Sequence, residues 1–308
     1  MSPFFSIIIP VFNSDKTLQE TIDHILLQSF KGFELILIDG QSTDGTLEII
    51  KSVIQTFPTL DINYISEPDG GIYDAMNKGI RMAKGSWFYF SGADDVFQSA
   101  DVLMNIYREI GKEPVDLIYG NVRGTESGTD YIYDSVAKVL TQGIHHQSIF
   151  YKCNLFKLVG NYSRAFTIAA DYHLTLKIFA DKNLKTRYVN QDIALFGEAG
   201  LSSKKFDYKF YSYHYKLLSE KQVLHQVDHP LPCLLSSIYC CLYLAKEKIN
   251  MGYAWRNLWF YSTRNTIIPL KSRFKNVLLM LYWSILPKPG TLSLFRHSTP
   301  ADMASLNR

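Results

Sequence analysis

The nine residues Trp87-Phe88-Tyr89-Phe90-Ser91-Gly92-Ala93-Asp94-Asp95 say most about what this chain becomes. Four large apolar side chains in a row fit a buried strand, and the polar turn after them delivers two adjacent acids to its end. On a straight strand neighbouring side chains point to opposite faces. Both carboxylates can therefore serve one site only where the chain bends, and Gly92 allows that bend. Taken alone, such a pair is more often a solvated turn or a helix cap than a metal site.

Outward from that strand the same kind of unit recurs three times towards the amino terminus. Residues 5–10, 33–38 and 62–65 are short β-rich segments, and residues 17–27, 46–54 and 72–82 after them carry helical spacing. Strands alternating with helices predict a layered α/β sheet whose ligands gather beyond the carboxyl ends of the strands. Polar loops occupy those ends, with Asn13-Ser14 after the first strand, residues 39–45 after the second and residues 66–71 after the third. Further on, residues 100–110 and 172–179 read as helices, and residues 115–119, 131–133, 146–151 and 187–190 as strands.

The 308 residues are 47% hydrophobic and 14% aromatic, which supports a sizeable core and argues against wholesale disorder. The net charge of +3 conceals a division. Residues 1–200 hold 17 basic and 24 acidic side chains, whereas residues 201–308 hold 15 and 5. Pattern changes there too, so a catalytic-type domain is expected over residues 1–200 and a basic, aromatic, mainly helical segment over residues 201–308.

That segment contains the apolar stretches 231–245 and 277–286, flanked by Lys246, Lys248, Arg273, Lys275 and Lys288. Neither reaches the ~18–20 apolar residues of a membrane-spanning helix, so contact with a membrane surface is expected, with buried helices of a second core layer as the alternative. No recognition motif accompanies the basic surplus, and nucleic acid is not an expected partner. The first ten residues lack the basic start of a secretory signal, which favours a cytoplasmic location. Cys153, Cys233, Cys240 and Cys241 have neither disulfide nor zinc spacing and read as reduced structural thiols.

Several polar residues at the strand ends suit nucleotide chemistry. Asp39 is placed to accept bonds from a base or ribose, while Ser42 and Asp44 suit the turn or the cap of the next helix. Asp69, Gly70 and Gly71 permit close approach of a diphosphate at a helix start, and Asn77 and Lys78 could add polar contacts or lie on a solvated face. Asp94 and Asp95 offer hard oxygen donors for Mg2+ or Mn2+, with substrate phosphate completing the shell. A proton acceptor is also needed for transfer to a hydroxyl. Asp171 is the candidate, against the alternative of a helix cap, and His145 and His146 are others unless they shape an acceptor wall. Neither a Gly-x-Gly-x-x-Gly fingerprint nor a phosphate-loop Gly-Lys-Ser/Thr is present.

The ordered stretches Phe5-Ser6-Ile7-Ile8-Ile9-Pro10-Val11-Phe12-Asn13, Leu37-Ile38-Asp39-Gly40-Gln41-Ser42-Thr43-Asp44-Gly45 and Glu67-Pro68-Asp69-Gly70-Gly71-Ile72-Tyr73-Asp74-Ala75-Met76-Asn77-Lys78, with the acid pair, His146-Gln147 and Ala170-Asp171, resemble the family 2 glycosyltransferases. The resemblance covers roughly residues 3–195. It implies the GT-A nucleotide-sugar-binding fold, with a central, mostly parallel mixed sheet, and an inverting sugar transfer to an acceptor hydroxyl.

By the same resemblance, Pro10, Asn13, Asp39, Asp69, Asn77, Lys78 and Asp94 belong to the donor site, with Asp39 on the nucleotide and Asp94 on ribose or sugar. Asp95 is the principal ligand of Mg2+ or Mn2+, Asp171 the general base, and His145, His146 and Gln147 the acceptor side. The family's Asp-x-Asp motif departs here to Ala93-Asp94-Asp95, which bears on the first-position contact. The long run from Glu67 looks most like bacterial transferases that build O-antigen, capsule or exopolysaccharide. These imply a UDP-sugar, or else a GDP-sugar, as donor. They also imply a polyprenyl-diphosphate-linked saccharide acceptor and a peripheral position on the cytoplasmic face of the inner membrane. A nucleotide-sugar hydrolase or pyrophosphorylase, and a non-catalytic carbohydrate-binding or scaffold protein of the same fold, are the competing readings.

Overall fold

The computed structural model describes residues 2–198, 200, 205–227, 230–264 and 270–285. Its backbone contacts gather into two units, Met1–Phe206 and Asp207–Arg308.

The first unit begins with β1 (Phe5–Val11), α1 (Leu18–Leu26), β2 (Phe33–Asp39), α2 (Thr46–Thr56), β3 (Ile62–Ser66), α3 (Ile72–Met82) and β4 (Trp87–Phe90). Every residue of β1, β2 and β4 is buried, the pattern of strands covered on both faces. These four strands run parallel, in the spatial order β3-β2-β1-β4. Helix α3 packs on β1 and β2. The approach is closest at Gly79, where an added Cβ would lie 2.3 Å from the Cγ2 of the fully buried Ile8.

After β4 the regular alternation stops. The chain continues through β5 (Val96–Phe97), α4 (Val102–Ile110), β6 (Leu117–Gly124), β7 (Asp130–Tyr131), α5 (Val136–Gln142), a 3-10 turn (His146–Ser148) and β8 (Ile149–Lys152). It then forms α6 (Leu155–Val159), α7 (Ala170–Phe179) and β9 (Thr186–Phe196). Strand β8 inserts antiparallel between β4 and β6, β9 lies parallel to β6, and β5 is antiparallel to β9.

The expectation of a mostly parallel sheet is therefore corrected. Four strand pairings are parallel and four antiparallel. The cause is local: β6 turns straight back into β7 as a hairpin, and β8 enters after a short helix from the opposite end of the sheet, so no crossover helix keeps these strands parallel. The strand expected over residues 146–151 is a 3-10 turn followed by β8. The one expected over 131–133 is the two-residue β7, and β9 runs well past residue 190.

The second unit contains α8 (Tyr208–Glu220), α9 (Pro230–Lys246), α10 (Met251–Arg264) and α11 (Leu270–Ile285). Asp207 caps α8 by accepting from the Phe210 amide. Leu234, Ile238, Cys241 and Ala245 of α9 join Tyr215, Leu258, Tyr261 and Met280 in its core. Part of the apolar stretch 277–286 falls in α11, and Leu286 lies outside the described residues. No helix among the described residues is long and apolar enough to cross a membrane.

Gly79→Ala is expected to destabilise the first unit by about 1–3 kcal/mol, since overpacking against Ile8 exceeds the gain of ~1 kcal/mol in helix propensity. Urea unfolding checks this, and a variant as stable as the parent would show that α3 moves off β1 freely.

Candidate active site

The carboxyl ends of β1, β2 and β3 meet in register at Val11, Asp39 and Ser66, and their loops are tied together by side chains. Asp39 is fully buried. Its Oδ1 accepts from the Ser42 amide at 3.1 Å and from the Ser42 hydroxyl, and its Oδ2 from the Ser66 hydroxyl. Asn13, at φ +49°, accepts the Thr43 amide at 2.9 Å through Oδ1, while its own amide donates to Ser42 Oγ at 2.8 Å. Asp44 accepts from the amides of Asp15 and Thr46, and hydrogen bonding holds its carboxyl below the usual range although burial opposes this. Asp39 and Asn13 thus shape the loops.

Between these loops lies an open cavity of about 1020 Å³, at the upper end of the size usual for small-molecule sites. Pro10, Asn13, Asp69 and Asp94, four of the expected donor-site residues, are on its wall. Asp39, Asn77, Lys78 and Asp95 are not among the residues lining it. Asn77 and Lys78 sit on the face of α3 turned into the protein, and both are buried. Lys78 Nζ donates to the Pro68 carbonyl at 2.7 Å and pairs with Glu67 at 2.9 Å. Asn77 exchanges two 3.0 Å hydrogen bonds with the backbone of Tyr162. Both act as clamps on neighbouring segments. The wall also includes Phe12, 63% exposed, Lys16 and Ile72, which the sequence reading did not single out. Their only signal was position in loops already marked by Asn13 and Gly71.

The acid pair separates by role at the bend. Asp94 is exposed and lines the cavity, whereas Asp95 is 1% exposed. Asp95 Oδ2 accepts from the Gly92 amide at 2.5 Å and Oδ1 from the Gly197 amide at 3.2 Å. Gly197, just after β9, passes so close that an added Cβ would fall 2.3 Å from Asp94 Oδ2. Desolvation, then repulsion from Asp95, pushes the Asp94 carboxyl up to about 6. Burial also raises Asp95, with His146, Gln147 and the two glycine amides opposing.

No cluster of three or more His, Cys, Asp or Glu side chains arranged to hold a metal occurs among the described residues. The pair itself fits a divalent cation: the donors are hard oxygens, one carboxylate faces the cavity, and Asp95 raises the cost of ionising Asp94. Asp94, backed by Asp95, would hold such an ion, and a diphosphate would supply the remaining oxygens.

Asp171 lies in the first turn of α7, one residue inside its start, and does not serve as the cap. Its Oδ1 accepts from the Tyr73 hydroxyl at 2.9 Å and from the Tyr172 amide at 2.8 Å, and Oδ2 is 3.4 Å from His146 Nδ1. The Tyr73 hydroxyl is also within bonding reach of the Ile168 carbonyl. Tyr73 was quoted in the sequence motif without a role; no spacing rule could have paired it with a residue 98 positions away. Because Ile72 and Ala75 line the cavity, Tyr73 ties Asp171 to the helix turn that borders it. His146 and Gln147 share the turn before β8, and the His146 Nε2 and Gln147 Oε1 atoms are buried without hydrogen-bond partners among the described residues. His145 is enclosed by Tyr131, Tyr133 and Phe196, with its Nδ1 on the Tyr133 hydroxyl.

Comparison with known proteins bears on this arrangement. The model of the family described as Glycosyl transferase family 2 matches residues 6–166. A PGL/p-HBAD biosynthesis glycosyltransferase of Mycobacterium bovis (strain BCG / Pasteur 1173P2) is 38% identical over 215 residues, covering 68% of this chain and 83% of that protein. Among solved structures, S. aureus TarS 1-349 in complex with UDP-GlcNAc superposes with a TM-score of 0.59 at 17% identity, covering 91% of this chain and 81% of that one. The mannosyltransferase PcManGT from Pyrobaculum calidifontis, in complex with GDP-Man and Mn2+, gives 0.58 at 17% identity, covering 92% and 84%. These two likenesses carry the fold.

Burial first, then the neighbouring His146, pushes His145 down to about 4. Unfolded, it takes a proton near its ordinary 6.5; folded, only near 4, so falling pH favours unfolding through that window. Between pH 7 and pH 5 the stability lost to this group is about 2 kcal/mol. His145→Asn, which cannot charge, is expected to lose about 2 kcal/mol less than the parent over that interval in urea unfolding. Equal losses would remove His145 as the source.

Proposed function

The chain belongs to glycosyl transferase family 2, and we propose that it moves a sugar from a nucleotide-diphosphate sugar to a saccharide hydroxyl, with inversion at the anomeric carbon. The observation that carries the reading is the cavity at the ends of the parallel strands, with Asp69 and Asp94 on its wall and Asp171 bound to Tyr73 beside it. Asp171 then accepts the acceptor's proton while its oxygen attacks the anomeric carbon from the face opposite the leaving diphosphate. Asp69, on the loop that Lys78 fastens through Pro68, lines the donor side. Asp39 keeps the β2 loop in shape and offers the nucleotide a carboxylate. Asp94, with Asp95 behind it, would hold Mg2+ or Mn2+, which when bound would supply positive charge against that developing on the leaving diphosphate.

The cognate donor is a UDP-sugar on this reading, with a GDP-sugar as the other choice, and the acceptor a polyprenyl-diphosphate-linked saccharide of a bacterial surface polysaccharide such as O-antigen, capsule or exopolysaccharide. His145, His146 and Gln147 stand on the Asp171 side, where an acceptor would enter. A nucleotide-sugar hydrolase or pyrophosphorylase would use the same cavity, and a carbohydrate-binding scaffold would keep only the fold. The acid pair disfavours the scaffold, since Asp94 is held on the cavity wall with its ionisation opposed by desolvation and by Asp95, a cost that a bound cation would offset.

The helical unit supports a peripheral position on the cytoplasmic face of the inner membrane. Leu231, Leu235 and Tyr239 form an exposed stripe on α9, and Phe274, Leu278 and Leu281 another on α11. Both spacings follow a single helix face. Lys246, Lys248 and the exposed Lys275 lie near the ends of these stripes, the combination that adsorbs to anionic lipid.

A panel of UDP- and GDP-sugars with polyprenyl-diphosphate-linked acceptors and Mn2+ is expected to yield glycosylated lipid. Free sugar alone, or nucleotide exchange, would replace transfer by hydrolysis or pyrophosphorolysis. Asp171→Asn should lower kcat at least a hundredfold with donor affinity retained, and Asp95→Ala should weaken both metal dependence and donor binding. Near-parental transfer by either variant would cancel that residue's role. In a separate measurement, the full chain with Leu235→Glu and Leu278→Glu is expected to bind phosphatidylethanolamine–phosphatidylglycerol vesicles at least tenfold more weakly. Unchanged binding would leave these faces without a lipid partner.

A further inference from the structure

We propose that Tyr73 and His146 are positioning residues that grip the two oxygens of Asp171 and leave Oδ2 as the atom that takes the acceptor's proton. The inference rests on the reading of Asp171 as base and extends it to two residues with no assigned part in that step.

A carboxylate serving as base must present one lone pair in one place, and free rotation of the group would spread it over several. Oδ1 accepts from the Tyr172 amide at 2.8 Å and faces the Tyr73 hydroxyl at 2.9 Å, whose one proton it shares with the Ile168 carbonyl. Among the described residues Oδ2 has only the flank of His146, whose Nδ1 stands 3.4 Å away and closes off one side. The open side of Oδ2 is therefore the one left for an acceptor hydroxyl. The proton passes from the acceptor oxygen to Oδ2. The freed electron pair forms the new bond to the anomeric carbon, and the bond from that carbon to the diphosphate oxygen breaks with its electrons on the diphosphate.

Each grip comes from an element that also borders the donor side. Tyr73 lies between Ile72 and Ala75 on the cavity wall, and its hydroxyl reaches Ile168 as well, fixing the approach to α7. His146 opens the turn that holds Gln147 next to Asp95, and its ring is within electrostatic reach of Asp94 and Asp95. Its Nε2 is buried with no partner among the described residues, a costly placement for a side chain that merely fills space. The base and the acid pair are thus set from the same two pieces of backbone.

The experiment uses the full chain and the donor–acceptor pair that the UDP-sugar, GDP-sugar and lipid-acceptor panel yields. Tyr73→Phe and His146→Leu should each lower kcat about tenfold to a hundredfold with donor KM within about twofold. His146→Asn should recover part of the loss, because its Nδ2 can take the place of the ring Nδ1. In the Asp171→Asn background, Tyr73→Phe should change the residual single-turnover rate less than about twofold, since its effect runs through the lost carboxylate. If Tyr73→Phe and His146→Leu keep parental kcat while Asp171→Asn is crippled, the inference fails and the base stands. Full losses that persist without Asp171 would make both residues structural and overturn it too. A parental rate in Asp171→Asn, or a panel with no glycosylated product, would remove the base reading and this one together.

Discussion

One antiparallel ladder, β4 against β8, brings the turn that carries His146 and Gln147 to the acid pair. Its register joins Trp87 to Lys152 and Tyr89 to Phe150, so the turn His146–Ser148 that precedes β8 is brought to the edge where β4 ends and the acid pair begins. Strand β6 runs antiparallel to β8 and β9 parallel to β6, which returns the end of β9 to that edge and lets the Gly197 amide reach Asp95. Had β8 run parallel to β4, its far end would face the acids and the two histidines would lie roughly 13 Å away along the strand. On the proposed reading, the parallel half of the sheet supplies loops for a donor, and this reversal supplies the partners of the base.

The edge assembled in this way is strongly negative. Asp44, Asp69 and Asp94 border the cavity with Lys16, while Lys78 is already committed to Glu67 and the Pro68 carbonyl. A nucleoside diphosphate entering such a cleft meets repulsion unless positive charge arrives with it. The raised proton affinity of Asp94 measures the same deficit from the protein's side. Donor and divalent cation are thus expected to bind together, each supplying what the other lacks, and this suits a catalyst that must release a more highly charged nucleotide product.

The first four strands were legible because each is short and mostly apolar and leads into a polar or glycine-bearing loop, and three of them are buried along their whole length. The second half was legible in part. Strands β7 and β5 are two residues each, too short for any period, and β8 follows a turn whose sequence, His-Gln-Ser, continues smoothly into the strand. Among site residues, sequence grouped Asp94 with Asp95 but could not tell which faces the cavity, since the bend at Gly92 settles that. For Asn77 and Lys78 the sequence left open polar contacts near the glycine loop or a solvated helix face, and the fold turns that face of α3 inward. Tyr73 drew no attention because its partner is fixed by tertiary packing alone.

The apolar stretch 231–245 was ambiguous between core and membrane contact, and the fold shows why both readings had support. A helix apolar on all sides is normally buried on all sides. Here α9 turns Leu234, Ile238, Cys241 and Ala245 into the core of its unit and leaves Leu231, Leu235 and Tyr239 exposed. Its 17 residues fall short of a bilayer span, so the outer face has no route to burial by insertion end to end. Lying flat at an interface is the orientation in which that face leaves water while the inner face keeps its packing. On the proposed reading, folding depends on the inner stripe and adsorption on the outer one, which would let the unit bind and leave a surface without unfolding.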